Sequence, residues 1–331
     1  MSPARQPGSQ FSPLACLGLW AGVCLGVALY SSWQGYGGRG FAATLTVFAF
    51  LLATVLFPAA RGVSEMLRGL FGRGTGYLLG AAAFVAYLLY ALGSGTFAVQ
   101  RAGIAAALVF VPLALARSSG GAAPGAWQDF VTLAGLWTAV KFLPQRELWP
   151  FPEGRPGHIL VELFILTIGL AVFLFARRVE GTGYAIGWGP RWWLYVLGSF
   201  GVFIVIAAPL GQAIRFIRFE PQLEAWKTLP LVMAVIFFFT AWPEEFFFRG
   251  LLQNLLGRVS KSDFAGWWTS SVLFGLAHIT NGGFPNWRYA LLAAIAGLCY
   301  GWTWRKSGSI FASAIVHTLV NTAWHFFFRT L

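Results

Sequence analysis

Long apolar runs separated by short polar stretches make up most of the chain. Their lengths are close to the roughly 20 residues that an α-helix needs to cross a bilayer, and they lack the alternation of β-barrel strands. In lipid, every backbone N–H and C=O group must form a hydrogen bond within the protein, so only helices remain once β-barrel strands are excluded. The pattern therefore predicts an all-α, polytopic transmembrane helical bundle. The runs are Phe11–Tyr30, Phe41–Ala60, Tyr77–Leu92, Ala102–Ala116, Ala126–Leu143, Ile159–Ala176, Trp192–Ile214, Thr228–Leu256, Phe264–Ile279, Tyr289–Arg305 and Ser309–Phe328.

The number of spanning helices depends on two of these runs. The fourth is short, and the fifth carries Asp129 and Lys141, so either is equally consistent with a helix at the membrane surface. We therefore expect about nine to eleven spanning helices. The first run follows Arg5 and fits a signal-anchor, with a cleaved signal peptide as the alternative.

Composition supports a membrane protein and excludes other classes. Of the residues, 57% are hydrophobic and 10% are charged, whereas a soluble protein has roughly 25% charged residues. The formal net charge is +12, but lysines and arginines lie at the ends of apolar runs, as spanning helices require, which argues against nucleic-acid binding. We expect an integral multi-pass protein of a bacterial-type plasma membrane.

A Pro-, Gly- and charge-rich stretch, Pro144–His158, is the most natural boundary in the chain. It divides an N-terminal transmembrane block, residues 1–145, from a C-terminal block, residues 146–331. We find no catalytic or binding motif in the N-terminal block, and its sequence does not indicate a function. The C-terminal block contains the candidate chemistry.

Two adjacent carboxylates, Glu244 and Glu245, lie inside the long apolar run Thr228–Leu256. An ionised group at bilayer depth costs about 2.5–3.5 kcal/mol or more, so such residues usually have a function. On a helix, Glu245 and Arg249 are four residues apart and lie on one face, whereas Glu244 points about 100° away. The spacing predicts that Glu245 and Arg249 form a supporting pair and that Glu244 is available for chemistry. Pro243 predicts a kink just before the pair.

Polar side chains in two later apolar runs add to these carboxylates. His278 lies near the end of the ninth run, and His317 and Asn321 lie four residues apart in the eleventh, which places them on one helical face. A single histidine inside a membrane helix is commonly a hydrogen-bond partner between helices. An acid, two imidazoles and an amide on three segments favour a reaction site instead.

The three motifs together resemble those of the CAAX protease and bacteriocin-processing family of intramembrane endopeptidases, which includes the type II CAAX prenyl endopeptidases. The motifs are Glu244-Glu245-x-x-x-Arg249, Phe274-x-x-x-His278 and His317-x-x-x-Asn321, in that order and on three different segments. The resemblance covers residues 228–331 and does not extend to the N-terminal block.

The resemblance implies a peptide hydrolase whose substrate is a peptide or protein with a membrane-embedded or lipid-anchored segment. Glu244 would act as general base on a water that His278 helps to position, and His317 and Asn321 would stabilise the oxyanion. Glu245 and Arg249 would support the site. Zinc or another divalent metal held by Glu244, His278 and His317 is an alternative. A metal-free reaction is favoured, and no cofactor is expected.

Two other classes of function remain compatible with the sequence. A proton-coupled transporter would also hold Glu and His at mid-membrane, although it should show matched repeats, which this sequence lacks. A non-catalytic scaffold or immunity protein would keep the helices without needing these side chains. Replacement of Glu244 separates the three classes.

Overall fold

A computed structural model describes residues 9–143, 148–150 and 158–331 and contains a bundle of helices. Each predicted apolar run corresponds to a helical segment, although end residues such as Phe11 and Phe328 lie outside the helices. This correspondence confirms the predicted fold class. The elements are β1 (Ser9–Gln10), α1 (Pro13–Trp33), α2 (Gly38–Leu56), α3 (Val63–Phe71), α4 (Gly74–Ser94), α5 (Val99–Ser118), α6 (Trp127–Phe142), α7 (His158–Gly169), β2 (Gly187–Trp188), α8 (Trp192–Ala213), β3 (Ile217–Phe219), α9 (Leu229–Ile236), α10 (Trp242–Glu245), α11 (Asn254–Ser260), α12 (Asp263–Leu276), α13 (Trp287–Ser307), α14 (Ile310–Phe327) and β4 (Phe328–Thr330).

Eight helical segments within the described residues are long and apolar enough to cross a bilayer, and the chain is an integral multi-pass membrane protein. The eight are fewer than the nine to eleven spans expected. The difference arises because α6 and α12 have only 16 and 14 residues, and α13 is long but richer in polar side chains. The fourth run is a 20-residue helix, α5, and meets the criterion for a span.

Local sequence signals explain where several helices begin and end. Ser12, Ser262 and Ser309 precede α1, α12 and α14, and each side chain accepts a hydrogen bond from a backbone N–H in the first turn, as N-cap residues do. Gly308 ends α13 with a φ of 68°, a left-handed conformation that glycine adopts without strain. This glycine permits the tight turn between α13 and α14.

The chain divides into two compact units. Phe11–Glu180 form one, here called the N-terminal unit, and Gly181–Leu331 with Ser9 and Gln10 form the other, the C-terminal unit. The predicted boundary at Pro144–His158 lies largely outside the described residues. The functional division that we placed there stays a prediction.

In the N-terminal unit, α7 continues into a π-helical segment, Leu170–Ala176, and its side chains are almost all buried. Asp129 on α6 is only 2% exposed and pairs with Arg177 through two contacts of 2.6 and 2.8 Å. Arg177 also donates hydrogen bonds to the Ser119 hydroxyl and to the Ala122 carbonyl. The negative charge of Asp129 is therefore neutralised by Arg177 inside the protein, which explains how an acid is tolerated in the fifth apolar run.

In the C-terminal unit, the helices α8 and α12–α14 and the long helical stretch from residue 229 to 260 supply most of the structure. Two short antiparallel sheets complete it. In one of them β3 pairs with β4, with Ile217 opposite Thr330 and Phe219 opposite Phe328. This pairing ties the last residues of the chain to the segment that follows α8.

The stretch from residue 229 to 260 changes its helical form on both sides of the two glutamates. Phe237–Ala241 and Phe246–Gln253 are π-helical, and they flank the short α-helical turn that contains Pro243. The Trp242 N–H bonds the Phe237 carbonyl, five residues back. Widened π-helical turns thus lie on both sides of Pro243, which lacks a backbone N–H, and the chain remains helical through the site. Such π segments occur often at functional sites.

Candidate active site

One cavity of about 390 Å³ lies within the C-terminal unit and brings the predicted residues together. Its wall includes Glu244, His278, His317 and Asn321, contributed by α10, the end of α12 and α14. The remaining lining residues include both polar and apolar side chains. These other lining residues are Phe203, Phe216, Ile236, Thr240, Phe274, Asn281, Tyr289, Leu292, Ala293, Ala296, Tyr300, Val320, Trp324 and His325.

Glu245 is fully buried and its carboxylate is held on several sides. The His317 Nδ1 lies 3.0 Å from Oε1, and the Ser313 hydroxyl lies 2.5 Å from Oε2. The Arg249 Nε lies 3.1 Å from Oε2, four residues along the helix, as the spacing predicts. Burying an ionised carboxylate requires such partners, and Glu245 therefore has a structural environment.

Arg249 is also fully buried, and aromatic rings surround its guanidinium. The Cζ atom lies 4.7 Å from the ring centre of Phe274, 5.6 Å from that of Tyr300 and 5.9 Å from that of Phe248. Within the described residues its nitrogens make no hydrogen bond, so the contact with Glu245 is an ion pair without hydrogen-bond geometry. A flat, delocalised cation suits such an enclosure better than an ammonium group does.

Glu244 has a different environment, although it is the neighbouring residue. Its side chain is 21% exposed and lines the cavity. The Oε2 atom is buried and has no hydrogen-bond partner among the residues that the structure describes. The His317 Nε2 lies 4.0 Å from this atom, beyond hydrogen-bond distance. The carboxylate of Glu244 thus lies at the cavity with an oxygen that is not engaged in a hydrogen bond within the described structure.

His278 lies just after the end of α12, where the chain leaves the helix. Its Nδ1 is 2.7 Å from the Phe274 carbonyl, one turn earlier. In the neutral ring, Nδ1 donates to this carbonyl, and Nε2 carries the lone pair. The Phe274 ring lies 4.6 Å from the His278 ring and 5.9 Å from the His317 ring. This one phenylalanine, which also contacts Arg249, therefore contacts a residue of each motif.

His317 and Asn321 lie one turn apart on α14, and both line the cavity. His317 is nearly buried and lies between the two glutamates, because Nδ1 contacts Glu245 while Nε2 is directed to the Glu244 side. Asn321 is half-buried. All four candidate catalytic residues thus line the same cavity, whereas the two supporting residues, Glu245 and Arg249, are fully buried.

The sequence reasoning missed three residues that contact this group. Ser313 bonds Glu245, and it lies four residues before His317 on the same helical face, a spacing that could have identified it. Tyr289 and Tyr300 on α13 contact the two histidines. They belong to no motif, and no spacing in the sequence indicates them.

The fit of a metal ion can be judged from the arrangement of the donor atoms. Within the described parts of the chain, no group of three His, Cys, Asp or Glu side chains is arranged to hold one ion. The His317 Nδ1 contacts Glu245 and the His278 Nδ1 contacts a backbone carbonyl. In this arrangement Glu244, His278 and His317, the residues predicted as alternative metal ligands, do not form a metal centre.

Comparison with known proteins gives a match for the part of the chain that contains the motifs. Residues 226–323 match the family model described as type II CAAX prenyl endopeptidase Rce1-like. No curated protein and no solved structure matches the chain. The matched segment contains all three motifs and all residues of the cavity wall except Phe203, Phe216, Trp324 and His325. Residues 226–323 are thus similar to the Rce1-like family of type II CAAX prenyl endopeptidases, the family that the motifs resemble.

Proposed function

We propose that the protein is an intramembrane endopeptidase that hydrolyses a peptide bond with a water activated by Glu244. The observation that carries this proposal is the difference between the two adjacent glutamates. Glu245 is fully buried and has three polar partners, whereas Glu244 lines the cavity and has a carboxylate oxygen without a hydrogen bond in the described structure. A general base needs an available oxygen next to the space that the reactants occupy.

In the first step, Glu244 takes a proton from a water molecule while the water oxygen attacks the carbonyl carbon of the substrate. The Nε2 lone pair of His278 accepts the other hydrogen of this water and orients it. The carbonyl oxygen becomes an oxyanion. Holding the water and the peptide side by side removes much of the entropic barrier of the reaction.

His317 and Asn321 stabilise the oxyanion. When His317 carries both ring protons, Nδ1–H donates to Glu245 and Nε2–H is a donor on the Glu244 side, towards the cavity. The positive charge also balances the cluster, which otherwise holds two carboxylates and one guanidinium. The Asn321 amide supplies a second donor. Donors of this kind, fixed before the reaction, lower the barrier by about 2.7–4 kcal/mol each.

In the last step, the oxyanion collapses and the bond between the carbonyl carbon and the nitrogen breaks. Protonated Glu244 returns its proton to the departing nitrogen. The products are a carboxylic acid and an amine, and Glu244 is again a carboxylate. Each step uses residues of this chain and one water molecule, and no step depends on a metal.

The substrate is proposed to be a peptide or protein with a lipid-anchored or membrane-embedded segment. The support is the site's placement among membrane helices and the apolar part of the cavity wall, which includes Leu292, Ala296 and Val320. An apolar tail would bury surface there while the scissile bond lies beside Glu244.

Comparing cellular peptidomes tests this function. Cells that express the wild-type chain are compared with cells that express Glu244→Gln at equal membrane abundance. The proposal predicts that a set of peptides disappears and that the corresponding uncleaved precursors accumulate in the variant. Identical peptidomes, with both proteins inserted equally, would favour a scaffold. Loss of a proton-coupled flux without any change in peptides would favour a transporter.

A further inference from the structure

Both candidate histidines carry a tyrosine ring stacked on the imidazole. The Tyr289 ring lies 5.4 Å from that of His278, with 14° between the planes. The Tyr300 ring lies 4.5 Å from that of His317, with 16° between the planes. These values are those of parallel, offset stacking. Tyr289 and Tyr300 are about three turns apart on α13, so both project from one face of that helix.

A hydrogen bond at one nitrogen does not fix the plane of an imidazole. Rotation about the bond to the ring has a broad energy minimum, so a ring held at Nδ1 can still tilt. His278 is held at Nδ1 by the Phe274 carbonyl, and His317 by Glu245. In each case a parallel phenol ring adds a further constraint. The direction of Nε2 depends on both.

The two tyrosines are themselves held in place. Tyr300 is buried, its ring lies 5.9 Å from that of Phe274 in an edge contact, and its carbonyl contacts the Ser313 hydroxyl at 2.9 Å. Tyr289 shares a side-chain hydrogen bond with Asn281 and contacts the rings of Phe216 and Trp324. Each tyrosine is thus a fixed surface against which an imidazole can be oriented.

We propose that Tyr289 and Tyr300 are positioning residues, which set the ring planes of His278 and His317 and so the directions in which their Nε2 atoms act. This inference rests on the proposed function for its catalytic consequence. The geometric part concerns only the two histidines. The helix α13, which carries none of the three motifs, then supplies one wall of the reaction site and orients both imidazoles.

The test compares a conservative and a disruptive replacement at each position. Tyr→Phe keeps the stacked ring and removes the hydroxyl, whereas Tyr→Leu removes the ring. We expect the Phe variants to keep kcat within about threefold of wild type. The Leu variants should lose about 10- to 100-fold in kcat, with little change in KM, since misdirected groups slow the reaction more than they weaken binding. Tyr195→Leu is the control. Tyr195, on α8, packs against Trp302 of α13, and within the described residues its ring is paired with neither histidine ring.

A second readout does not depend on activity. Selective ¹⁵N labelling of histidine in the full chain reports the protonation and environment of each ring nitrogen. Tyr289→Leu should shift the signals of His278 and leave those of His317, and Tyr300→Leu should do the reverse. If the Tyr300→Leu protein does not insert into the membrane, the two Tyr289 variants test the positioning role alone. Tyr289 is only half-buried, so its replacement disturbs the packing less.

The outcomes separate the two levels of the proposal. Unchanged histidine signals and unchanged kcat in Tyr289→Leu would overturn the positioning role. An equal loss in Tyr289→Phe would also overturn it, because the hydroxyl and not the ring would then be the active feature. If the wild-type protein cleaves no peptide, the proposed function fails, while the histidine signals still decide whether the tyrosines orient the rings.

Discussion

Glu245 and His317 are joined by a contact of 3.0 Å between Oε1 and Nδ1, deep inside the C-terminal unit. This contact gives the two neighbouring glutamates different environments. Glu245 holds the imidazole from behind, and Glu244 faces the cavity 4.0 Å from the other ring nitrogen. The His317 imidazole thus lies between the buried Glu245 and Glu244, which lines the cavity.

Removing the buried acid should destabilise the protein. Glu245→Ala leaves the Arg249 guanidinium buried among aromatic rings without its counterion. Breaking such a pair by removing one partner costs about 3–5 kcal/mol. Thermal unfolding in detergent measures the loss.

A double variant checks the cause of that loss. In Glu245→Leu with Arg249→Met both charges are absent, so much of the stability should return, because buried pairs can be replaced by apolar groups at little cost. A Glu245→Ala variant as stable as wild type would show that this pair does not hold the helix.

Ser313 should matter through Glu245. Ser313→Ala removes the hydroxyl that contacts the carboxylate at 2.5 Å, and a hydrogen bond to a charged group contributes about 1.5–3 kcal/mol. The unfolding free energy should fall by that amount. Ser260→Ala is a suitable control, because Ser260 is exposed and bonds only nearby backbone carbonyls. Equal stability of the two variants would contradict the assignment.

Asn321 should act in the transition state. Asn321→Leu keeps the approximate volume and removes the amide donor, so kcat should fall about 10²- to 10³-fold with little change in KM. Steady-state kinetics on a purified peptide substrate provides the measurement. A variant with a raised KM and a normal kcat would place Asn321 in substrate binding instead.

Chelation tests the metal-free reaction. Because each step of the proposed reaction uses only side chains and water, a strong zinc chelator should leave the cleavage rate of the purified protein unchanged. Pre-incubation and overnight dialysis against the chelator guard against slow exchange. A loss of activity that added Zn²⁺ restores would instead assign Glu244, His278 and His317 as metal ligands.

The fold could be predicted from the sequence because lipid imposes a simple rule on apolar runs. Their length and lack of alternation indicated helices, and the helices are present. The short helix α3 was missed because its nine residues cannot form an apolar span. The burial of Asp129 was missed because its partner, Arg177, is distant in sequence and lies just after a different apolar run.

For the site, helical spacing indicated which glutamate pairs with Arg249, because that relationship lies within one turn of one helix. The widened π-helical turns beside Pro243 could not be read from the sequence, which predicted a kink there and not a change of helical form. The stacking of Tyr289 and Tyr300 on the histidines likewise depends on the packing of α13 against α12 and α14. The meeting of the three motifs at one cavity was expected from the motifs and the family resemblance, whereas the side-chain packing around them was not.

The most direct test of the account compares Glu244→Gln with Glu245→Gln in purified protein, by cleavage rate and by thermal unfolding together. Because Glu244 is the proposed base and its Oε2 makes no hydrogen bond within the described residues, Glu244→Gln should lose about 10²- to 10⁴-fold in rate and keep or gain stability. Glu245→Gln should lose stability, since Arg249 and His317 lose a charged partner. A Glu244→Gln protein that cleaves at the wild-type rate would contradict the central claim.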